Sequence, residues 1–561
     1  MPASADDSSA PPAAAGRSGG RGANAEAAFR PQPHDPDRAP DRPGRRLARS
    51  TAIFSVATGA SRVLGLVREI VVRRYFGVEG PINAFTVAFQ VPNLVRSLVA
   101  DAAVSAAFVP VFSELLEKHE RHRAWRVAST LLWLVLLGLG GLTALFVVLA
   151  PWIMRPFGYE GSDEELVVGL SRVLFPIVVL LGLSGVVVGI LNTYEHFAAP
   201  ALAPVAWNLV IILGLVLGVP RAETDSSKLY VYAVAVVVAT VVQLVLPLPW
   251  LRGRDDRLRV AVDWRNPAVK RVFVLMLPVT LGLGLINFNQ VVNTFFAARY
   301  IDPQLAPSAI EAAFRIYMLP QGMFSVAIAT VLFPSLSRLA VRADTEAFRA
   351  TVAVGLRQIG FLLLPASAVA AVLAVPIVRL LYERGAFGPD ETDVVAAALV
   401  AFAAGLTFNG TMLMLNRAFF SLQSPWVPTA IALANLVFQV ILNAALFRVG
   451  IWGIPLATSL VNLAGTVALV VVFRRRVGRI EGRRTLDAYV QITVASAAAA
   501  GAAFGVWYGL DEALGRSLGA QVVSVTGGIL AAGAVFLAAA RILRVRELDA
   551  LVSLVRRSRA S

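Results

Sequence analysis

Inside an otherwise apolar stretch near residues 51–76, the segment SRVLGLVRE places Arg62, Arg68 and Glu69 where hydrocarbon would be expected. Arg62 falls about 11 residues into that stretch, roughly 16 Å deep at the rise of a helix, too far for a side chain at a helix end to reach back to water. Arg96 and Asp101 lie in the next apolar stretch and Arg315 in a later one. An arginine at the centre of a lipid-facing helix costs about 2.5–3.5 kcal/mol even on the lenient insertion scale. These residues therefore face a cavity rather than lipid. One reading pairs Arg68 with Glu69 or Asp101 and leaves the others to cap helix breaks. Against it, four arginines (Arg62, Arg68, Arg96, Arg315) outnumber two carboxylates (Glu69, Asp101). Planar guanidinium groups hold phosphate oxygens in a two-pronged grip and stay charged when desolvated, so the surplus points to a phosphate-bearing substrate. Arg73 and Arg74, at the end of the first stretch, read as interfacial anchors.

The elements that carry these residues follow from composition. Of 561 residues, 57% are hydrophobic and 16% charged, and the mean hydropathy is +0.69. That is too little charge to cover a soluble protein of this size, and apolar stretches of about 20 residues recur almost end to end. Fourteen are counted, near 51–76, 82–114, 124–153, 165–192, 198–219, 229–251, 268–298, 307–337, 350–381, 394–420, 426–447, 452–473, 487–509 and 518–541. Backbone groups in lipid have no water to bond, so these must be helices, and the fold class is an all-α polytopic membrane protein.

The formal charge of +15 does not point to nucleic acid. Alternate loops are basic (EKHERHRAWR, RGRDDRLRVAVDWRNPAVKR, FRRRVGRIEGRR) and the others acidic or neutral (GYEGSDEE, AETDSSK, GPDETD, GLDEAL). This is the positive-inside pattern and places both termini in the cytoplasm. Residues 1–49 read as a disordered cytoplasmic tail. There is no cysteine, and His119 and His122 sit in a basic loop, so no metal site is assigned. No H-E-x-x-H, P-loop or G-x-S-x-G motif appears; neither a cofactor nor catalysis is expected.

The chain also repeats itself. Pro110-x-x-Ser113 recurs as Pro334-x-x-Ser337, and LNTYEHFAAPALAPVAWNLV (191–210) resembles LNRAFFSLQSPWVPTAIALANLV (415–437). The repeats are six spans apart, so the halves share one membrane orientation. Two six-helix lobes around a central cavity are expected, 50–252 and 253–485, with spans 13 and 14 and a basic tail over 486–561.

SRVLGLVREIVVRRYFG, INAFTVAFQVPNLVRSLVADAAVSAAFVPVFSE, RIYMLPQGMFSVAIATVLFPSLSR, LYERGAFGPDET and LNRAFFSLQSPWVPT together resemble the murein-biosynthesis lipid II flippases, the MurJ/MviN family, within a wider superfamily of drug, oligosaccharide and lipid exporters. The resemblance implies a transporter of the bacterial cytoplasmic membrane that moves lipid II, an undecaprenyl-pyrophosphate glycolipid, from the inner to the outer leaflet by alternating access, with the membrane potential as driving force. It implies Arg62, Arg68, Arg96 and Arg315 as substrate-binding residues, a gate between spans 1 and 8, a lipid-tail groove involving spans 13 and 14, and contact with membrane lipids and cell-wall synthesis proteins. Glu69, Asn83 and Asp101 would support the site. Many relatives have Asp where this chain has Asn83, and the nearness of Arg68 and Arg96 suggests that Asn83→Asp would be tolerated. Some relatives place a carboxylate of span 7 in a sodium site; here that span, PVTLGLGLINFNQVVNTFF, has none. The rival readings are a polysaccharide-lipid flippase or drug exporter of the same superfamily, and a non-transporting cell-wall scaffold.

Overall fold

The computed structural model describes residues 42–99, 102–254, 256–480 and 482–548. The chain divides into two units, Met1–Ala52 and Ile53–Ser561; of the first only the helical start of α1 is described, and the site lies wholly in the second.

The described residues form helices and no strand. They run α1 (Arg42–Phe76), α2 (Ile82–Val99), α3 (Ala102–Glu117), α4 (Arg121–Met154), α5 (Ser162–Leu174), α6 (Ile177–Thr193), α7 (Ala198–Gly218), α8 (Asp225–Val245) and α9 (Pro267–Phe296). After these come α10 (Ala306–Pro320), α11 (Val326–Val341), α12 (Thr345–Val372), α13 (Ala374–Tyr382), α14 (Pro389–Ala403), α15 (Leu406–Ser421), α16 (Trp426–Leu446), α17 (Gly453–Arg476), α18 (Gly482–Leu514) and α19 (Leu518–Ile542). Thr224, Asn266, Asp344 and Ser517 each accept a hydrogen bond from a backbone N–H of the helix they precede, supplying a partner the first turn lacks. Two π-helical turns interrupt the helices, Ala297–Ile301 after α9 and Gln321–Ser325 between α10 and α11.

Ten helical spans of the described residues are long and apolar enough to cross a membrane, or eleven if the pair α14 and α15, bent by 43°, counts as one. The three stretches of the expected fourteen outside this set are 51–76, 82–114 and 268–298. They correspond to α1, to α2 with α3, and to α9, and of these α1, α2 and α9 line the cavity described below. On the other helices, exposed Leu213 and Leu217 of α7, Val437 and Ile441 of α16, and Leu530 and Leu537 of α19 present a surface suited to acyl chains.

Buried apolar side chains fall into separate clusters. One draws on α1 to α9, around Phe112, Trp125 and the stacked pair Phe146 and Phe175. A second draws on α10 to α17, around Phe348, Phe419 and Phe473. A third joins Phe361 of α12 to α18 and α19. Since lipid is as apolar as leucine, helices in a bilayer gain from close approach more than from burial. Gly214 and Gly218 of α7 accordingly meet Ala235 and Val231 of α8 where a side chain would collide.

The repeats read from the sequence have matching backbones. After α3 and α11, His119 and Ala343 adopt left-handed φ of 59° and 55°, and the next residues, Glu120 and Asp344, donate their N–H groups to Leu115 O and Leu339 O at 3.0 and 3.1 Å. After α6 and α15, Glu195 and Gln423 do the same at 56° and 53°, followed by His196 N–H to Leu191 O and Ser424 N–H to Phe419 O. All four are helix C-caps of one type.

Of the basic loops, that at 252–266 returns along α4. His122 Nδ1 lies 2.8 Å from Asp256 Oδ2, and this bond, with the Arg257 backbone N–H, holds the Asp256 carboxyl below its ordinary range. Trp133 Nε1 donates to Arg259 O at 3.2 Å.

One carboxylate ties the turn from α1 to α2 to the start of α14. Glu391, in the first turn of α14, accepts the N–H groups of Val78 at 2.6 Å and Glu79 at 2.9 Å on one oxygen and that of Gly388 at 2.7 Å on the other. Gly77 (φ +62°) and Gly385 (φ +66°) permit the approach, since a Cβ on Gly385 would strike the Arg74 carbonyl and one on Gly77 the Glu391 carboxylate. Glu391→Ala would strand three donors and is expected to lower stability by about 1–3 kcal/mol. Thermal unfolding in detergent checks this, with exposed Asp390→Ala close to neutral.

Candidate functional site

Five residues of α1, Gly65, Arg68, Glu69, Val72 and Arg73, share one helix face by their spacing and form a wall of a cavity of about 680 Å³. The other walls come from α2 (Gln90, Asn93, Arg96), α7 (Trp207, Asn208), α8 (Tyr232, Thr240, Gln243), α9 (Asn287, Gln290) and α10 (Glu311, Phe314, Arg315). Among the described lining residues four arginines face two glutamates, a surplus of two positive charges.

The four are not equivalent. Arg73 is buried (2% exposed) and grips Glu69, with Nη2 and Nε at 2.7 and 2.9 Å from Oε1. Arg315 Nη2 donates to Glu311 Oε1 at 2.8 Å, one helical turn away. Arg96 donates twice to Asn93 Oδ1, at 3.1 and 2.9 Å. Arg68 has neither carboxylate: its guanidinium lies over the Trp207 ring at 4.8 Å, and its Nε is buried with no hydrogen-bond partner. The indole is fixed in turn by Trp207 Nε1 donating to Thr240 Oγ1 at 3.1 Å. An aromatic face stabilises the cation without neutralising it, and leaves its edge N–H groups for an anion.

The structure thus brings Arg68, Arg96, Arg315 and Glu69 together, and places the other sequence candidates elsewhere. Arg62 is exposed and outside the cavity lining; its Nη1 donates to Gly322 O in the second π turn at 3.2 Å. Six residues at 3.6 per turn set it about 120° around α1 from Arg68. Asp101 lies outside the described residues. Arg73 is no interfacial anchor as its position at the end of an apolar run suggested, but the buried partner of Glu69, whereas Arg74 is exposed. Glu311 escaped notice because it opens span 8 rather than interrupting it; its spacing of four from Arg315 was the available signal. The amides Asn93, Asn287 and Gln290 carry no charge to stand out in an apolar run.

Asn83 is fully buried and outside the lining. Its Nδ2 donates to Val78 O at 2.8 Å, Gly80 O at 3.0 Å and Gln304 O at 2.5 Å, and its Oδ1 accepts from Ser308 N–H at 2.9 Å. With Thr86 and Ser308 hydroxyls 2.8 Å apart, Tyr159 donating to Pro303 O at 2.7 Å, and Gln304 donating to Asp163 at 2.6 Å, it ties the α1–α2 turn to the segment before α10.

Comparison with known proteins bears directly on this architecture. The sequence profile described as Lipid II flippase MurJ matches residues 72–514. A Burkholderia cenocepacia protein named lipid II flippase MurJ is 30% identical over 77% of this chain and 84% of its own. The chain belongs to the MurJ family. A Vibrio cholerae relative named probable lipid II flippase MurJ is 32% identical, over 74% of this chain and 81% of its own. Among solved structures, a MurJ in an inward closed conformation superposes with a TM-score of 0.71 at 23% identity, over 88% of this chain and 99% of that one. An inward-facing MATE family multidrug transporter follows at 0.64 and 17%, over 75% and 96%. Both share the fold.

In this MurJ family member a second chamber, of about 340 Å³, lies on the far side of α10. Ile316 and Leu319 of α10, Leu381 of α13, Leu399 of α14, and Val525 and Ile529 of α19 line it, and Tyr317 brings its one polar side chain. Phe314, Arg315 and Met318 face the charged cavity from the same helix. A charged chamber and an apolar one thus share a single helical wall.

The placement of Asn83 reverses the expectation for Asn83→Asp. The carboxylate could still accept from Ser308 but would set negative charge against three carbonyl oxygens and lose three donated bonds. A lowered unfolding temperature is expected, equivalent to about 1–3 kcal/mol, with no rescue by Arg68 or Arg96. A variant as stable as wild type would show that the turn carbonyls rotate away at no cost.

Proposed function

We propose that the chain is a lipid II flippase of the bacterial cytoplasmic membrane, moving the undecaprenyl-pyrophosphate-linked precursor from the inner to the outer leaflet by alternating access. The observation that carries this is the four-to-two excess of arginine over glutamate among the described lining residues, with the Arg68 guanidinium held over Trp207. The pyrophosphate takes its place between Arg68, Arg96 and Arg315, while the Arg73–Glu69 pair keeps α1 rigid behind them. The apolar chamber across α10 accepts the prenyl chain, so headgroup and tail are sorted by opposite faces of one helix.

Residues 50–252 and 253–485 act as two lobes that rock about this cavity, with 486–561 completing the lipid groove. Both termini are cytoplasmic, which the alternation of basic and acidic loops supports. The bonds of Asn83, Tyr159 and Glu391 then close the cavity toward the outside. Exporting two negative charges from a negative interior gains about 2.3 kcal/mol per charge per 100 mV, roughly 4 to 5 kcal/mol in total, so the membrane potential suffices as a drive. Export of a cationic drug, suggested by the fold of the MATE neighbours, is disfavoured by the sign of the cavity charge.

Alanine at Arg68, Arg96 or Arg315 is expected to abolish transport of labelled lipid II into liposomes under an imposed potential. Lysine keeps charge but loses the planar fork, and should recover only part of the activity. Arg73→Ala strands a buried Glu69 and should fail by instability, seen in its unfolding temperature, while Arg74→Ala stays near wild type. Wild-type flux in the Arg68→Ala, Arg96→Ala double variant would sink the cavity reading.

Orientation is tested separately. In the cysteine-free chain, cysteines at exposed Ser162 and Ser226 should react with an impermeant thiol reagent from outside, and one at exposed Arg123 should not. Reversed labelling would reverse the inferred direction of transport.

A further inference from the structure

A buried polar cluster away from the cavity lies where α9 meets α16 and α17. Gln439 and Asn443 are fully buried and Asn293 is 4% exposed. Asn443 Nδ2 donates to Asn293 Oδ1 at 2.9 Å, and Gln439 Nε2 to Asn443 Oδ1 at 2.8 Å. Asn293 Nδ2 and Gln439 Nε2 both point at Thr458 Oγ1 at 3.4 Å, and the Thr458 hydroxyl is spent on Ile454 O at 3.1 Å. Asn293 Nδ2 also reaches Asn289 Oδ1 at 3.3 Å.

The helix α9 is span 7, the span from which, by the family resemblance, some members lend a carboxylate to a sodium site. A hard cation taken out of water needs several oxygens turned inward, and in a low dielectric a carboxylate to balance it. Here the cluster contributes amide N–H groups, each already aimed at an oxygen that a cation would need. Gln439 Oε1 alone is left without a partner. No member of the cluster is ionisable, and among the described residues no three His, Asp or Glu side chains converge to hold a metal. The residues do not fit a cation.

We propose that this cluster is an ion-independent clasp: neutral hydrogen bonds fix α9 to α16 and α17, and flipping by this chain is coupled to neither sodium nor proton binding there. Amides do not titrate, so the clasp has one charge state at every physiological pH. Asn287 and Gln290, on the same helix within two turns, line the cavity, so the clasp also sets where that wall stands. The transport consequence rests on the flippase reading; the binding consequence does not.

The test has two arms. In detergent, at matched ionic strength, wild-type protein should unfold at the same temperature in sodium, potassium and choline chloride. Asn293→Asp/Asn443→Asp, which replaces two donating amides by carboxylates, should lose stability in choline and regain several degrees specifically in sodium. In liposomes with an imposed potential, lipid II flux by wild type should be unchanged when sodium is replaced by choline on both sides. A sodium-specific rise for wild type, abolished by Thr458→Val, would overturn the proposal, as would flux that collapses without sodium. A double variant that folds yet ignores sodium would show that the amides are not what excludes the cation. If the double variant does not fold, Asn443→Asp alone serves, and the wild-type arm decides without any variant. Absence of flux in every salt would count against the flippase reading and leave the unfolding arm to settle the clasp.

Discussion

Positive charge gathered inside a bundle of apolar helices, four arginines to two glutamates among the described lining residues, is the constraint to which the rest of the molecule answers. A guanidinium cannot shed its proton to escape desolvation, as lysine can, so it must be held by something else. Arg73 and Arg315 are held by glutamates and Arg96 leans on an asparagine. Arg68 rests on an indole whose own N–H is tied down by Thr240. Around the cavity α7 and α8 supply Trp207, Asn208, Tyr232 and Thr240, so the charged face of α1 meets aromatic and polar side chains.

How much of this was legible in the sequence depended on contrast. A charge in an apolar run is conspicuous, which is why Arg68, Glu69, Arg96 and Arg315 could be picked out before any fold was known. Arg73 is no less buried than these, but it stands at the end of its run, where an arginine ordinarily reaches for headgroups; only the tertiary contact with Glu69 separates the two cases. Arg62 shows the converse. It is the most conspicuous residue by depth, yet the helical twist sets it on a face that meets the π turn of the neighbouring span rather than the cavity. Neutral amides were invisible for want of contrast, both those lining the cavity and those of the α9 clasp. Asn83 was misread for a related reason: its neighbours in sequence are cavity residues, but its partners are backbone groups of its own turn and of the distant segment at Gln304 and Ser308.

The fold itself was more readable than the site, because a bilayer leaves few options. Once the backbone must satisfy itself, long apolar runs become helices, and their order follows the chain. What pattern alone missed was interruption. The breaks fall at Pro176, where the ring removes a helical N–H, at the bend between α14 and α15, and at the π turns after α9 and α10, and two of these interruptions occur on the helices that carry the amide clasp and Arg315.

The matched C-caps have a consequence for how the fold is encoded. The four residues that adopt left-handed backbone at corresponding places are histidine, alanine, glutamate and glutamine, and none is the glycine or asparagine that would enter this conformation without strain. A turn spelled in four ways, none of them favourable, is not written locally at all. It is imposed by where the flanking helices must pack, so such connectors can differ in sequence while the backbone path stays the same.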